Sequence, residues 1–312
     1  MDLKQLEYIV AIAEHGNISR AAEALFITQS GLNQQLNKLE RDLGIKLFFR
    51  DKHHLTITQA GTVYVNNARD ILRIKKNTYT VLDDLKGNIV GEIRLGLTHE
   101  HGIDLFTSVF PEFNKRYPGV TFDLLERVVS QQLSLITSGN LDMGIVLLGE
   151  PEDKKLNYTE LYREDLILGV SRSHPLARFA APPGEPFRTI GLDLFQDETF
   201  SLIFSGSTMR SIIDPLFEKA GFKPKILIET AMNHALVKLV SIGLCCTILP
   251  HSRAVSSPHC HENAWFYLTS RPQWSVCLTH RHDIQFNEAA RYFISLLKKH
   301  GADFQRNCLR FP

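Results

Sequence analysis

Long apolar runs are missing from this chain of 312 residues. None approaches the roughly 20 residues that a membrane-spanning helix needs, and no charged-then-apolar leader opens the sequence. The expectation is a cytoplasmic protein with no membrane partner. Cysteine is scarce: the five residues, at 245, 246, 260, 277 and 308, follow neither a disulfide framework nor zinc-ligand spacing, which suits a reducing compartment. Net charge is nearly absent, with 35 Lys and Arg against 34 Asp and Glu, so bulk basicity cannot be what recognises a partner. There is no glycine-rich phosphate loop and no Ser-His-Asp spacing with independent support. An enzyme is therefore not expected, nor a cofactor or a resident metal. Against these absences stand a 44% hydrophobic composition and enough length for two or three domains.

The strongest signal lies in the first 61 residues. Leu6, Ile9, Val10 and Ala13 recur at helical spacing and predict a helix over residues 3 to 15. Gly16 stops it, and Asn17 or Ser19 is suited to cap the next helix by accepting an orphan backbone N–H. Ala21, Ala22 and Ala24 let a third helix cross closely, with Leu25 and Ile27 plugging the turn. Thr28 then caps a helix running to about Asp42, with Leu32, Leu36, Leu39 and Leu43 expected inside and Gly44 at its end. The opposite face shows Gln29, Ser30, Asn33, Gln34, Asn37 and Lys38. Amides pair with adenine edges, and short hydroxyls reach base edges or phosphates. Two short helices around a tight turn, the second with such a face, read as a helix-turn-helix entering a DNA groove.

Residues 45–50 and 55–58 predict two short strands around a polar tip, a wing beside the helix-turn-helix. Arg50 and Lys52 are placed to neutralise phosphates, as is Arg20, while His53 and His54 read as solvated wing residues. The first 86 residues hold 12 Lys and Arg against 10 Asp and Glu, so binding rests on a local patch of Arg20, Lys38, Lys46, Arg50 and Lys52. Thr58 caps a further helix of about 27 residues, roughly 40 Å long, in which Val65, Ala68, Leu72, Tyr79 and Leu82 form a seam suited to a second copy of the chain. Gly87 is expected to end it.

At this point the residues match a family. The run AIAEHGNISRAAEALFITQSGLNQQLNKLERDLGIKLFFRD, with LTITQAG after it, closely resembles the DNA-binding end of the LysR-type transcriptional regulators, in register over nearly all of residues 3 to 61. The resemblance implies a sequence-specific regulator bound to double-stranded promoter DNA, and DNA contacts from Ser19, Arg20, Thr28, Gln29, Ser30, Asn33, Gln34, Asn37, Lys38, Arg50 and Lys52. It further implies a linker helix that dimerises the chain, assembly as a homodimer or homotetramer, and contact with RNA polymerase. The family usually has Ser at position 17, Pro at 30 and Ser at 33, where this chain has Asn17, Ser30 and Asn33. The last two lie on the reading face.

From residue 88 the pattern changes to alternating strands and helices. Strands are predicted at 91–97, 120–126, 141–147, 166–170, 200–204, 225–229, 245–249, 264–268 and 274–279, with helices through 106–113, 130–138, 209–220 and 287–299. The nearly continuous apolar run 141–147 fits a buried parallel sheet. The fold class expected is α/β: a winged helix-turn-helix at residues 1–58, a linker helix at 59–87, and a two-lobed domain at 88–312. Lobe I would take about 88–163 and 270–300, lobe II about 164–269, with chain crossings near Arg163 and Thr269. SGNLDMGIV and VSIGLCCTILP resemble stretches of the same family's effector domain, similar in fold to periplasmic solute-binding proteins.

In such folds ligands lie between lobes at strand carboxyl ends. Three loops converge there: Thr98 with His99, Glu100 and His101; Ser130 beside Val129 and Gln131; and Ser205, Gly206, Ser207 and Thr208. Hydroxyls and helix N-termini favour anions, so the expected ligand is a small organic acid or similar metabolite. Phe204, Met232, Leu249, Pro250 and His251 are expected to line the apolar side. Glu100, if turned inward, argues against a strongly anionic ligand. A redox- or metal-responsive domain is the alternative, through Cys245 and Cys246 or the clusters at 259–262 and 280–282, where His-x-His in an extended segment faces one way.

Overall fold

The computed structural model describes residues 2–50, 55–85, 90–149 and 155–307. The chain divides into two units, one built mainly on the residues before Val90 and the other on those from Val90 onward.

In the first unit, α1 (Leu3–His15), α2 (Ile18–Ala24) and α3 (Gln29–Leu43) pack around Ile9, Ile12, Ala21, Leu32 and Leu36. Their ends follow from local chemistry. Asp2 and Thr28 each accept a backbone N–H through the side chain, while Asn17 accepts two, from Ser19 and Arg20. Gly16 (φ 59°) and Gly44 (φ 69°) close α1 and α3 in the left-handed conformation that only glycine adopts without cost. Strands β1 (Phe48–Arg50) and β2 (Leu55–Ile57) pair antiparallel, Phe48 opposite Ile57. Glu40, almost wholly buried, accepts from the backbone N–H of Leu47 at 2.9 Å and of Phe48 at 3.2 Å and pairs with Lys46 Nζ at 2.7 Å. It thus fixes the wing to α3. Thr58 Oγ1 accepts from Gly61 N at 2.9 Å and so starts α4 (Gln59–Leu85).

Two expectations change here. Leu43 is 46% exposed, because the last turn of α3 runs past the three-helix core. The seam on α4 divides: Val65 and Ala68 are buried within this unit, where α4 is tied to α1 by the Arg69–Glu14 and Lys75–Glu7 pairs, whereas Tyr79 and Leu82 are 61% and 45% exposed. Gly87 lies outside the described residues.

The second unit holds β3 (Gly91–Leu97), α5 (His101–Arg116), β4 (Val120–Glu126), α6 (Val129–Thr137), β5 (Met143–Leu148), β6 (Leu156–Ser171), β7 (Thr189–Ile190), β8 (Thr199–Ile203), α7 (Thr208–Lys219), β9 (Lys225–Thr230), α8 (Asn233–Ser241), β10 (Thr247–Pro250), α9 (His251–Val255), β11 (Asn263–Leu268), β12 (Gln273–Arg281) and α10 (Glu288–Asn307). The main sheet runs β4-β3-β5-β12-β6-β11-β7, with β10 also on β6. β3 pairs parallel with β4 and β5, and β12 returns antiparallel to β5.

The long strand β6 makes the two lobes. Its first part, Leu156 to Asp165, pairs with β12, and its second, Leu166 to Ser171, is held by β10 and β11. The chain crosses back between Leu268 and Gln273. Only the apolar end of β6 is readable in the sequence; Thr159, Glu160, Arg163 and Glu164 resemble a loop because that half of the strand mixes exposed and buried positions and carries charge at both. β8 and β9 form a parallel pair that joins β10 through Ser201 N to Cys246 O at 2.9 Å and Cys246 N to Thr199 O at 2.8 Å.

Candidate nucleic-acid interface and ligand cleft

On α3, Gln29, Ser30, Gln34, Asn37 and Lys38 are exposed along one side, opposite the buried Leu32, Leu36 and Leu39. Thr28 caps the helix through Oγ1, which accepts from Gly31 N at 3.1 Å. Asn33 is half-buried, and its Oδ1 is shielded from solvent without a hydrogen-bond partner among the described residues. Arg20 is exposed beside the half-buried Ser19 at the start of α2. Arg50 ends β1, and Lys52, His53 and His54 fall outside the described residues. Helix α3 therefore presents a polar ridge of amides and hydroxyls with Lys38, suited to direct base readout supported by phosphate contacts.

In the second unit a cleft of about 960 Å³ opens between the lobes. Thr98, His99, Ser130, Phe204, Ser207 and Thr208 line it, which brings all three expected loops to one space. Five other expected residues, Ser205, Met232, Leu249, Pro250 and His251, do not line it. Leu249 and Pro250 are buried at the end of β10, where pairing with β6 holds them in lobe II. Ser205 and Met232 are exposed, each one residue from a lining residue. His251 is buried against Phe187 and Tyr267, and burial lowers its pKa.

The first turns of α6 and α7 both face the cleft, through Ser130 and Gln131 and through Ser207 to Ser211. Helix starts leave backbone N–H groups without intrahelical partners and carry partial positive charge. Arg127 and Arg210 join the lining. Burial alone would lower the pKa of Arg210, but hydrogen bonds from its guanidinium to Asp214 (2.6 Å) and Glu229 hold it charged and raise it. Arg127 donates to the carbonyl of Glu126 at 2.7 Å and is in no ion pair among the described residues. Glu126 pairs instead with His99 Nδ1. The sequence shows these cations but not their position, because no local pattern distinguishes a cleft arginine from a solvated one.

At the floor lies a polar knot that sequence reasoning missed. Glu164, wholly buried on β6, accepts from Trp274 Nε1 at 3.0 Å on β12 and from Ser252 N at 3.1 Å on α9, and pairs with His101 Nε2 at 3.2 Å on α5. Burial alone would raise its pKa, yet His101 and the other donors bring it down to about 2. Arg253, paired with Asp104, packs against the same imidazole nitrogen. Both His101 and Trp274 reach the cleft lining.

The described thiols are buried, and the histidine clusters at 259–262 and 280–282 form no group of metal ligands among the described residues. Burial raises the Cys245 thiol, pushes Cys246 up to about 12 with help from Glu198, and Cys277 up to about 11; thiolates, not thiols, are what oxidants attack. Cys308 lies outside the described residues. Residues Cys260–Glu262 form a 3₁₀ turn instead of an extended segment, and His259 pairs with Glu262 at 2.9 Å. Among the described residues one trio could meet at an ion: His174, Glu198 and Cys246, with ligand atoms within 4.8 Å of one another. But His174 Nδ1 accepts the N–H of Leu176 at 3.2 Å, which puts the ring proton on Nε2, the nitrogen an ion would need.

A winged helix-turn-helix with an amide-bearing second helix, in one chain with a two-lobed α/β domain that holds a ligand-sized cleft, defines a DNA-binding regulator of the ligand-responsive kind. Known proteins place it further. Residues 3–62 match the bacterial regulatory helix-turn-helix model of the lysR family, and residues 86–302 match the LysR substrate-binding domain. The chain is 30% identical to the Hca operon transcriptional activator HcaR of Escherichia coli K12, over 80% of this chain and 82% of that protein. It is 28% identical to the uncharacterised regulator YybE of Bacillus subtilis 168 over 80% and 82% of the two. Among solved structures, a full-length OxyR variant from Pseudomonas aeruginosa matches with a TM-score of 0.73 at 21% identity, over 96% of this chain and 98% of that one. The LysR-family regulator CbnR complexed with its target DNA matches at 0.57 and 23% identity, over 96% and 99%. The chain belongs to the LysR family of transcriptional regulators. It is a DNA-binding transcriptional regulator with an effector-binding domain.

Proposed function

We propose that this regulator reads a partly palindromic promoter site through α3 and its wing, and that a small monocarboxylate in the lobe cleft changes its hold on that site. One observation carries the ligand reading: the first turns of α6 and α7, the hydroxyls of Thr98, Ser130, Ser207 and Thr208, and Arg127 surround one space of about 960 Å³. Arg210 is already neutralised by Asp214 and Glu229. Arg127 is then the cation left for a single anionic group, with Phe204, Leu147, Leu148 and Ile212 for an apolar body. On this reading Ser205, Met232, Leu249 and Pro250 act from behind or beside the lining rather than on it.

The reading heads are residues 1–58, with Ser19, Arg20, Thr28, Gln29, Ser30, Asn33, Gln34, Asn37, Lys38, Arg50 and Lys52 at the DNA. Residues 59–87 dimerise the chain through the exposed end of α4, and 88–312 bind the effector, with lobe II at about 164–269. A homodimer or homotetramer acting on RNA polymerase in the cytoplasm completes the reading; no helix among the described residues is long and apolar enough to cross a membrane. Burial of the four described thiols, at 245, 246, 260 and 277, favours a metabolite over an oxidant as the signal.

Selection of duplexes from a random pool by the full-length protein tests the DNA half. The expected product is a two-fold related sequence whose specificity relaxes at one position per half-site in Asn33→Ala, by about 1–3 kcal/mol for a lost base contact. A uniform loss across all sequences would move Asn33 to the phosphates, and a pool that stays random would overturn the reading.

A further inference from the structure

Five residues after β3, Thr98 to Gly102, turn from the strand into α5, and three consecutive side chains reach three different parts of the second unit. His99 pairs with Glu126 in its own lobe. His101 reaches Glu164 at the lobe crossing. Glu100, between them, crosses to lobe II: its Oε1 accepts from Asn233 N at 3.1 Å and its Oε2 from Asn233 Nδ2 at 2.6 Å, with His234 Nδ1 at 3.4 Å. These groups form the first turn of α8, so a carboxylate from one lobe caps a helix of the other. Among the described residues no α8 group performs this capping, since Met232 at the N-cap makes no side-chain bond.

The backbone at Glu100 is strained. It sits at φ 59° and ψ −71°, and His101 N donates to His99 O at 2.8 Å across it. That is a γ-turn of positive φ, a rare and strained conformation for a residue with a side chain. The cross-lobe bonds give a reason for it: they hold Glu100 where a relaxed turn would not. A bond between lobes that opposes local strain makes a two-state element, in which the turn relaxes when the bond is lost.

We infer that Glu100 is an inter-lobe latch, an internal carboxylate that ties α8 to the β3–α5 turn and whose release lets the turn relax. The inference rests on the effector-cleft reading for its purpose, but not for its geometry. The residues flanking the turn, Thr98, His99 and His101, line the cleft, as does Asn233 on the far side. A ligand that touches them therefore acts on the turn and on its anchor together, and moves one lobe against the other.

The test uses the full-length protein and acetate as a probe. In Glu100→Ala the first turn of α8 loses its cap, and hydrogen exchange over a peptide covering Asn233 to Ser241 should quicken about tenfold or more. Acetate, which can take the vacated place, should restore protection in the variant in a saturable way and by more than any change it makes in wild type. Glu100→Gln, which keeps the shape but turns one acceptor into a donor, should fall between the two, and it carries the test if the alanine variant fails to fold. Wild-type exchange rates in both variants, or an acetate response equal in variant and wild type, would overturn the latch. Organic acids titrated into the wild type report separately on the cleft: acetate rescue without any wild-type ligand would keep the latch and remove the effector reading.

Discussion

The reading helix and the cleft reach their function by opposite routes. α3 is defined by neighbours along the chain: a cap at Thr28, leucines at 32, 36 and 39 on one side, and polar residues between them on the other. The cleft has no such local definition. Its floor joins His101, Glu164, Ser252 and Trp274, far apart in the chain, and its walls come from two lobes that one long strand passes between. Among the described residues each unit has one buried carboxylate that gathers hydrogen-bond donors: Glu40 holds a wing strand that begins only a few residues beyond its own helix, whereas Glu164 holds three elements at a crossing. The difference teaches that a motif can be read where contacts are local, while a binding site built from long-range contacts shows its loops but not its charges.

The sharpest break between the two regions should come at Glu164. Glu164→Ala leaves Trp274 Nε1, the Ser252 amide and His101 buried without their acceptor, and breaking a buried pair in this way costs about 3–5 kcal/mol. Unfolding followed by probes in each unit should show the C-terminal transition falling while the N-terminal one stays. The same carboxylate sets an acid limit. Its folded pKa of about 2 lies below the ordinary 4.5, so its contribution is fully present above pH 4.5 and is lost as pH falls from 4.5 toward 2. Wild type should lose C-terminal stability over that window, and Glu164→Gln should show a flatter profile.

A smaller effect is expected in the other unit. Glu40→Ala leaves the amides of Leu47 and Phe48 without their acceptor, about 1–3 kcal/mol, and should loosen the wing and weaken DNA binding. Ligand-induced stabilisation of the C-terminal unit should be untouched. Smaller again is Thr28→Ala, the loss of one helix cap at about 1 kcal/mol. It should lower N-terminal stability and DNA affinity together, where Gln34→Ala lowers affinity alone; circular dichroism melts beside DNA titrations separate the two.

How much was legible follows the same division. Helix ends at Gly16 and Gly44 and the capping by Thr28 and Thr58 are written in single residues, so the first unit could be drawn from the chain. The division of the α4 seam could not, because periodicity gives a face and not its partner: Val65 and Ala68 spend that face inside their own unit. In the second unit the strands with apolar centres were readable and the polar half of β6 was not. Of the expected ligand residues, those at the starts of α5, α6 and α7 reached the cleft, since each of these turns follows a strand whose carboxyl end faces it. Leu249 and Pro250 did not, because a strand's apolar run says it is buried without saying against what. Arg127 and Arg210 were invisible for the reason that charge pairing is tertiary.

The most direct test of an anion-binding cleft is the melting of the full-length protein against a panel of small monocarboxylates, in wild type and in Arg127→Gln. At least one acid is expected to raise the C-terminal transition in a saturable way, by about 2.7 kcal/mol at 100 times its dissociation constant, and Arg127→Gln to reduce the rise. Stabilisation that survives Arg127→Gln undiminished, or a panel that leaves the C-terminal transition unmoved, would contradict it.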